Sequence, residues 1–257
     1  MKQSIAWLLI LTLLCLTGCG IQVTDPTTEP TTIPTTQATE PPPPPRITGE
    51  KIVDGRSRCT ATYQYNDRGQ LTRIDRTHDA DGSIYNCEFF RYDDQGRLTE
   101  EEMWLNQELP GHFISYEYSE SGRLIRITNN KLSEEVWNWY EVCYGPSGYA
   151  EKYDVYTENK GKPILVGQID FTYDFYCRVL TQEEHDLEGN LVSSVTNTYN
   201  DQGQLIQVET ITYDTNFNTR TVDTYEYSAD GRCKTLIHEI FSDDLPFSTV
   251  KTAYIWE

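Results

Sequence analysis

Positive charge is scarce in this chain of 257 residues. Lys and Arg number 21 against 40 Asp and Glu, which leaves a net charge of −19 at pH 7. A surplus of negative charge opposes binding to nucleic acid and to anionic lipid surfaces, because both attract cations. We therefore expect no nucleic-acid partner, and we expect most of the acidic residues on a solvated face.

Patterns that mark a catalytic or metal site are also missing. The four histidines lie far apart, and no Cys-x-x-Cys or His–Cys spacing is present. The segment Asp79-Ala80-Asp81-Gly82 starts like a calcium loop, but the position that needs a bidentate acid is Phe90. The sequence predicts no metal, no cofactor and no enzyme activity.

The longest apolar run lies at the N-terminus. Lys2 precedes Ile5–Leu16, which is typical of a targeting segment and is short for a membrane span. The run ends in Leu16-Thr17-Gly18-Cys19, which resembles the lipobox of bacterial lipoproteins. That resemblance implies removal of residues 1–18 and a diacylglycerol on Cys19, which would anchor the protein on the outer face of the bacterial cell membrane. An ordinary secretory signal with an incidental Cys19 is the alternative.

A stalk follows the anchor. Residues 19–46 comprise Cys19, three Thr-rich repeats and the run Pro41–Pro45, and they have almost no apolar surface to bury. Proline favours the extended polyproline II conformation, at about 3.1 Å per residue. We expect this stalk to hold the following domain away from the bilayer.

Few cysteines are left for disulfides once Cys15 and Cys19 are set aside. The remaining number is odd, so not all can pair, and small buried hydrophobic side chains are the favoured interpretation. A disulfide between neighbouring hairpins stays open, because an exported protein permits it. The five cysteines are Cys59, Cys87, Cys143, Cys177 and Cys233.

Residues 47–257 are organised by a repeat. An aromatic-x-Tyr segment, a polar turn and a returning apolar residue recur at Tyr63–Leu71, Phe90–Leu98 and Tyr116–Leu124. The period is about 27 residues, which is typical of a repeat architecture. The tyrosines that end the first half of each copy are Tyr65, Tyr92, Tyr118, Tyr144, Tyr173, Tyr199, Tyr227 and Tyr254.

Each copy predicts a strand, a tight turn and a second strand. A polar residue such as Asn66 and a glycine three positions later, Gly69, fit a type I turn that ends in a positive φ. The fifth copy has Cys177 in place of that glycine, so we expect its turn to differ. We predict an all-β antiparallel meander of roughly 15 strands that forms one curled or rolled sheet. An odd count makes the first and last strands parallel, which favours an open sheet over a closed barrel.

The Tyr-Asp-x-x-Gly-x-Leu units resemble the YD repeats of the Rhs family. The clearest copies are Tyr92–Leu98 and Tyr199–Leu205, and the resemblance covers about residues 58–257. Rhs proteins wind such repeats into a spiralling sheet that can enclose a toxic domain. The resemblance implies architecture only, because the family's repeats supply no catalytic residue.

Aromatic residues are the remaining functional signal, with 18 Tyr and 5 Trp. Trp137 and Trp139 share one face of a predicted strand, and together with Trp104 they are the candidate ligand-binding residues, with core packing as the alternative. We hypothesise a membrane-anchored surface protein that binds or scaffolds a protein or a polysaccharide. The alternatives are an envelope-associated glycan hydrolase, which needs two carboxylates in one cleft, and a purely structural spacer.

Overall fold

A computed structural model describes residues 46–54, 57–130, 136–214, 218–243 and 245–256. Pro110, Val136 and Trp137 are described by their backbone alone. The expected signal peptide, Cys19 and the stalk up to residue 45 lie outside the described residues. Backbone contacts group the described residues into one compact unit.

The described residues form sixteen strands and no helix. The strands are β1 (Ile47–Asp54), β2 (Ser57–Tyr65), β3 (Leu71–His78), β4 (Ile84–Tyr92), β5 (Leu98–Leu105), β6 (Leu109–Tyr118), β7 (Leu124–Asn130), β8 (Val136–Tyr144), β9 (Ala150–Asn159), β10 (Lys162–Tyr173), β11 (Val179–Asp186), β12 (Leu191–Tyr199), β13 (Leu205–Tyr213), β14 (Asn218–Tyr227), β15 (Cys233–Ser242) and β16 (Leu245–Trp256).

The antiparallel meander is confirmed, but the predicted open sheet is wrong. Each strand pairs with its neighbours in the chain, and β1 also pairs with β16, so the sheet closes into a barrel. The miscount came from β1, which has neither the aromatic-x-Tyr segment nor the turn glycine of the repeats. With β1 the count is even, the closing pair is antiparallel with Glu50 opposite Tyr254, and the sheet has no free edge.

Seven repeat turns lie at one end of the barrel, which we call the repeat rim. They span residues 66–70, 93–97, 119–123, 145–149, 174–178, 200–204 and 228–232. In the first turn the Asn66 N–H donates to the Gln70 carbonyl at 2.9 Å, and the Gly69 N–H donates to the Asn66 carbonyl at 2.9 Å. The expectation that the fifth turn differs is wrong, because Cys177 adopts a φ of 65° and makes the same bonds.

A ladder of side-chain hydrogen bonds joins successive repeats at this rim. The hydroxyl of Tyr118 donates to the carbonyl of Leu98, the residue that begins the return strand of the preceding repeat, at 2.8 Å. The last rung is made by the Trp256 indole N–H, so Trp256 and not Tyr254 ends the final copy. The other rungs run from Tyr65 to Ile47, Tyr92 to Leu71, Tyr144 to Leu124, Tyr173 to Ala150, Tyr199 to Val179 and Tyr227 to Leu205.

Where the last residue of a repeat turn is an arginine, its guanidinium covers the ladder ring of the next repeat. Arg97 lies 4.6 Å from the ring centroid of Tyr118, and Arg178 lies 4.4 Å from that of Tyr199. Such a cation over an aromatic face contributes about 0.5–1 kcal/mol at an exposed site. Arg46, Arg123 and Arg232 do the same for Tyr65, Tyr144 and Trp256.

The two faces of the barrel differ in chemistry. Inward side chains near the repeat rim are apolar and shielded from water, as for Ile74, Ile127 and Val155. Outward side chains form ion pairs across neighbouring strands, among them Arg91–Glu100, Arg126–Glu141 and Arg220–Glu209, and Lys152 pairs with Asp154 along β9. The outer wall that these pairs occupy is therefore charged.

None of the described residues forms a helix that is long and apolar enough to cross a membrane.

Removal of one ladder hydroxyl should destabilise the barrel. In Tyr118→Phe the Leu98 carbonyl loses its donor while the ring stays, and we expect a loss of about 1 kcal/mol in the free energy of unfolding. Urea denaturation with an unchanged m-value measures it. Tyr176→Phe, which removes a hydroxyl from a ring that is 73% exposed, is the control. Equal stabilities of the two variants would contradict the ladder.

Candidate binding surface

The structure places two of the predicted tryptophans, Trp104 and Trp139, on the outward face, so these two are not core residues. Trp139 lies on β8 opposite Thr128 of β7 and Tyr156 of β9. Trp104 lies on β5, with β6 and β7 between it and Trp139. The backbone of Trp137 belongs to β8, but its side chain lies outside the described residues. The sequence-predicted set therefore does not form one site.

Three outward side chains on adjacent strands form what we call the aromatic ridge: Arg126, Trp139 and Tyr156. The rings of Trp139 and Tyr156 are nearly parallel, at an angle of 9°, with centroids 5.5 Å apart. The Arg126 guanidinium lies 5.9 Å from the centroid of Trp139, on the side of β7. Alternation along each strand brings these residues to one face, and strand pairing brings them into contact.

Charged and amide groups surround the ridge. Arg126 pairs with Glu141 at 2.9 Å and lies 3.8 Å from Glu117. On the next strand Lys152 pairs with Asp154 at 2.9 Å. Burial opposes the charge of Asp154, but hydrogen bonds from Lys152 and its neighbours hold the pKa of Asp154 below its ordinary value.

The Gln168 amide also donates to Asp154, at 2.9 Å. The thiol of Cys143 lies 3.5 Å from the same carboxylate, and burial raises the pKa of that thiol. Both contacts hold Asp154 in place beside the ridge. The surface is therefore an aromatic strip with an ordered polar border.

Trp104 has a different environment. Its indole N–H donates to Glu102 at 3.1 Å, and Glu102 also accepts from Arg91 at 2.6 Å. The hydrogen bond from Arg91 is the main reason that the pKa of Glu102 is lowered. Trp104 thus belongs to a separate ion-pair group on the outward face.

Buried carboxyl groups inside the barrel are the feature that sequence reasoning missed. Glu101 accepts from the Tyr116 hydroxyl at 2.8 Å, and Glu184 accepts from the Ser193 hydroxyl at 3.0 Å. Glu50 accepts from the Tyr63 hydroxyl. Burial raises the pKa of all three, and that of Glu101 to about 7.

Two further interior acids are paired with bases. Glu88 bonds to Arg76, and Asp223 lies 2.6 Å from Nδ1 of His238. The hydrogen bond to Asp223 raises the pKa of His238. His112 also points inward and is half-buried, and burial lowers its pKa.

The runs of consecutive acids on β5 and β11 are divided between the two faces of the barrel. Glu100 and Glu102 lie outside and pair with Arg91, whereas Glu101 lies inside. Glu183 is exposed and the adjacent Glu184 is turned inward. Strand alternation thus turns Glu101 and Glu184 away from their neighbours in the chain, and Glu100 and Glu102, which share the outward face, both pair with the same arginine.

Metal ligands do not gather anywhere in the part of the chain that the structure describes: it contains no cluster of three His, Cys, Asp or Glu. The five cysteines expected to be buried are free, and they differ in exposure. Cys59 and Cys87 are buried, Cys143 and Cys233 are half-buried, and Cys177 is exposed. Burial raises the pKa of the Cys233 thiol to about 11, which makes that thiol a poor nucleophile.

The interior carboxyls should make the barrel less stable at alkaline pH. The ordinary pKa of a Glu is 4.5, and that of Glu101 in the barrel is about 7. Between these values the barrel keeps a proton that the unfolded chain has released. The stability of the protonated form is therefore complete below pH 4.5 and is lost as pH rises through 7.

Between pH 4.5 and pH 8, Glu101 should lower the free energy of unfolding of the parent chain by about 3 kcal/mol. The Glu101→Gln variant should lack this part of the decline. Urea denaturation across that range measures it. Glu100→Gln, which changes the neighbouring outward carboxyl, is the matched control. A decline in Glu101→Gln as steep as in the parent chain would contradict the assignment.

No family model and no curated protein matches this chain. Among solved structures it is similar to a porin-like protein from Bacteroides uniformis ATCC 8492, with 14% identity, a TM-score of 0.49 and coverage of 82% of this chain and 98% of that chain. A porin-like protein from Bacteroides vulgatus ATCC 8482 has 10% identity, a TM-score of 0.44 and coverage of 81% and 98%. TcdB2-TccC3 without its hypervariable C-terminal region has 17% identity, a TM-score of 0.34 and coverage of 76% of this chain and 10% of that chain. At TM-scores below 0.5 these likenesses carry no argument about function.

Proposed function

We propose that this chain is a lipid-anchored protein of the bacterial envelope whose barrel binds a protein partner on the aromatic ridge. The contact between Trp139, Tyr156 and Arg126 carries the proposal. Trp, Tyr and Arg are the residues that dominate binding energy at protein interfaces, and they do so where polar residues border them. The ridge has this composition, and Glu117, Glu141 and Asp154 form its border.

The geometry favours a protein over a polysaccharide. A sugar ring binds by stacking on a free aromatic face. Trp139 offers little free face, because Arg126 lies on the side of β7 and Tyr156 stacks on the side of β9. The outer edges of the stacked rings and the aliphatic part of Arg126 remain available, and these suit the apolar side chains of a protein.

The anchor is supported by the order of segments in the sequence. An apolar targeting segment, Cys19 and a proline-rich stalk precede a domain whose outer face is charged. Such a domain does not span a bilayer itself, so it needs an anchor to stay at a membrane.

Loss of the anchoring thiol should release the protein. In Cys19→Ser no diacylglycerol can be attached, and we expect the chain to move from the membrane fraction to the soluble or secreted fraction. Cell fractionation followed by Triton X-114 partitioning measures this, and Cys15→Ser is the matched control. A Cys19→Ser chain that still partitions into detergent would contradict lipidation.

The ridge should be tested on isolated envelopes of the host. We expect the fluorescently labelled chain to bind saturably. The double variant Trp139→Ala/Tyr156→Ala should raise the dissociation constant at least about 30-fold, which is the effect of losing a hot spot of about 2 kcal/mol. Trp104→Ala, on the same face but outside the ridge, should bind like the parent chain.

Treatment of the envelopes identifies the class of partner. Binding that is lost after protease and kept after periodate oxidation of glycans supports a protein partner. The reverse result would establish a polysaccharide partner and contradict the proposal. Equal binding by the double variant and the parent chain would show that the ridge is not the binding site. No binding by the parent chain would favour a structural spacer.

A further inference from the structure

One repeat turn differs in chemistry from all the others on the repeat rim. We call residues 174–178 the aromatic turn, because its second and third positions are Phe175 and Tyr176. The corresponding positions in the other turns carry no aromatic residue: Asp67-Arg68, Asp94-Gln95, Glu120-Ser121, Pro146-Ser147, Asp201-Gln202 and Ala229-Asp230. The sister turns make the same backbone bonds, so the turn itself does not require these rings.

Both rings project into solvent. Phe175 is 93% exposed and Tyr176 is 73% exposed, and the rings meet edge to face with centroids 5.5 Å apart. Exposure of two adjacent large aromatic side chains costs apolar hydration that a polar turn avoids. Their retention at the tip of a turn therefore indicates an apolar surface for something outside the barrel.

A second departure from the repeat lies beside the first. Tyr149 occupies the last position of the preceding repeat turn, where the other turns carry Arg or Gln. Its ring lies 5.6 Å from that of Tyr173 and is 43% exposed. Two separate breaks in the pattern thus place Tyr149, Phe175 and Tyr176 in one sector of the rim.

The repeat rim is also where the described domain begins. Arg46, the first described residue, packs on the Tyr65 ring and against Gly69 of the first repeat turn. The tether from the proposed anchor at Cys19 therefore joins the barrel at the rim that carries the aromatic turn.

The charge of this rim is compatible with a lipid surface. The seven repeat turns and Arg46 contain six arginines and seven acids, whereas the whole chain has a net charge of −19. The acidic surplus that opposes contact with anionic lipids thus lies mainly elsewhere. Amphipathic Tyr and apolar Phe are suited to the interface between headgroups and acyl chains.

We propose that the aromatic turn inserts Phe175 and Tyr176 into the surface of the bilayer that carries the anchor, and so orients the barrel on the membrane, in place of the separation from the bilayer that the stalk sequence predicts. The proposal rests on the proposed lipid anchor, which supplies the first membrane signal. The two acyl chains of the anchor hold the protein at the bilayer, and the aromatic turn adds a second contact that sets the orientation of the barrel.

The exposed thiol of Cys177 provides the probe. The lipidated full-length chain is labelled at Cys177 with an environment-sensitive dye and reconstituted into phosphatidylcholine vesicles, with and without phosphatidylglycerol. We expect a blue shift of the dye emission and a loss of quenching by aqueous iodide. The matched control carries Cys177→Ser and Asp201→Cys, with the dye in a sister turn, and should stay open to iodide.

Phe175→Ser/Tyr176→Ser with the dye on Cys177 should regain the iodide quenching of the vesicle-free chain. Equal shielding in this variant, or a dye that stays fully quenchable in vesicles to which the chain is bound, would overturn the proposal. Shielding that appears without vesicles and grows with protein concentration would assign the turn to a second copy of the chain. Failure of the chain to float with the vesicles would instead contradict the anchor, so the two failures are distinguishable.

Discussion

The closed barrel depends on contacts that pass from each repeat to the next at one rim. A hydroxyl or indole N–H at the end of each repeat bonds to a carbonyl that begins the preceding return strand, as Tyr92 does to Leu71. An arginine or glutamine from the preceding turn then covers the ring or bonds to the next turn. Every repeat donates a hydrogen bond to one neighbour and accepts one from the other. The ladder is therefore continuous around the barrel once β1 pairs with β16.

Closure also separates the chemistry of the two faces. Acids that face inward, such as Glu101 and Glu184, are buried beside hydroxyl groups and favour the protonated form. Acids that face outward, such as Glu100 and Glu141, pair with arginine. The surface left for recognition is therefore the charged outer wall and the rims. On that wall the ridge of Arg126, Trp139 and Tyr156 combines aromatic area with an ordered polar border.

The repeat pattern predicts much of the architecture because turn chemistry is local. The polar residue and the glycine of each turn specify its backbone, and the aromatic-x-Tyr segment specifies which side chains share a face. The pattern fails where the physical cause is not local. Cys177 takes a positive φ because the two flanking strands hold the turn, and Trp256 replaces a tyrosine because an indole N–H can also donate to the carbonyl of Cys233.

The sequence by itself determined the meander, its period, its turns and the outward or inward alternation along each strand. Only the tertiary structure decided that the sheet closes, because closure depends on β1, a strand without any repeat signature that pairs with β16 about 200 residues away. Closure in turn decided which acids are buried, and the register between β7, β8 and β9 decided that Trp139 meets Tyr156 and Arg126 while Trp104 does not. Such neighbours are set by strand pairing around the whole barrel, and no segment of the sequence contains that information alone.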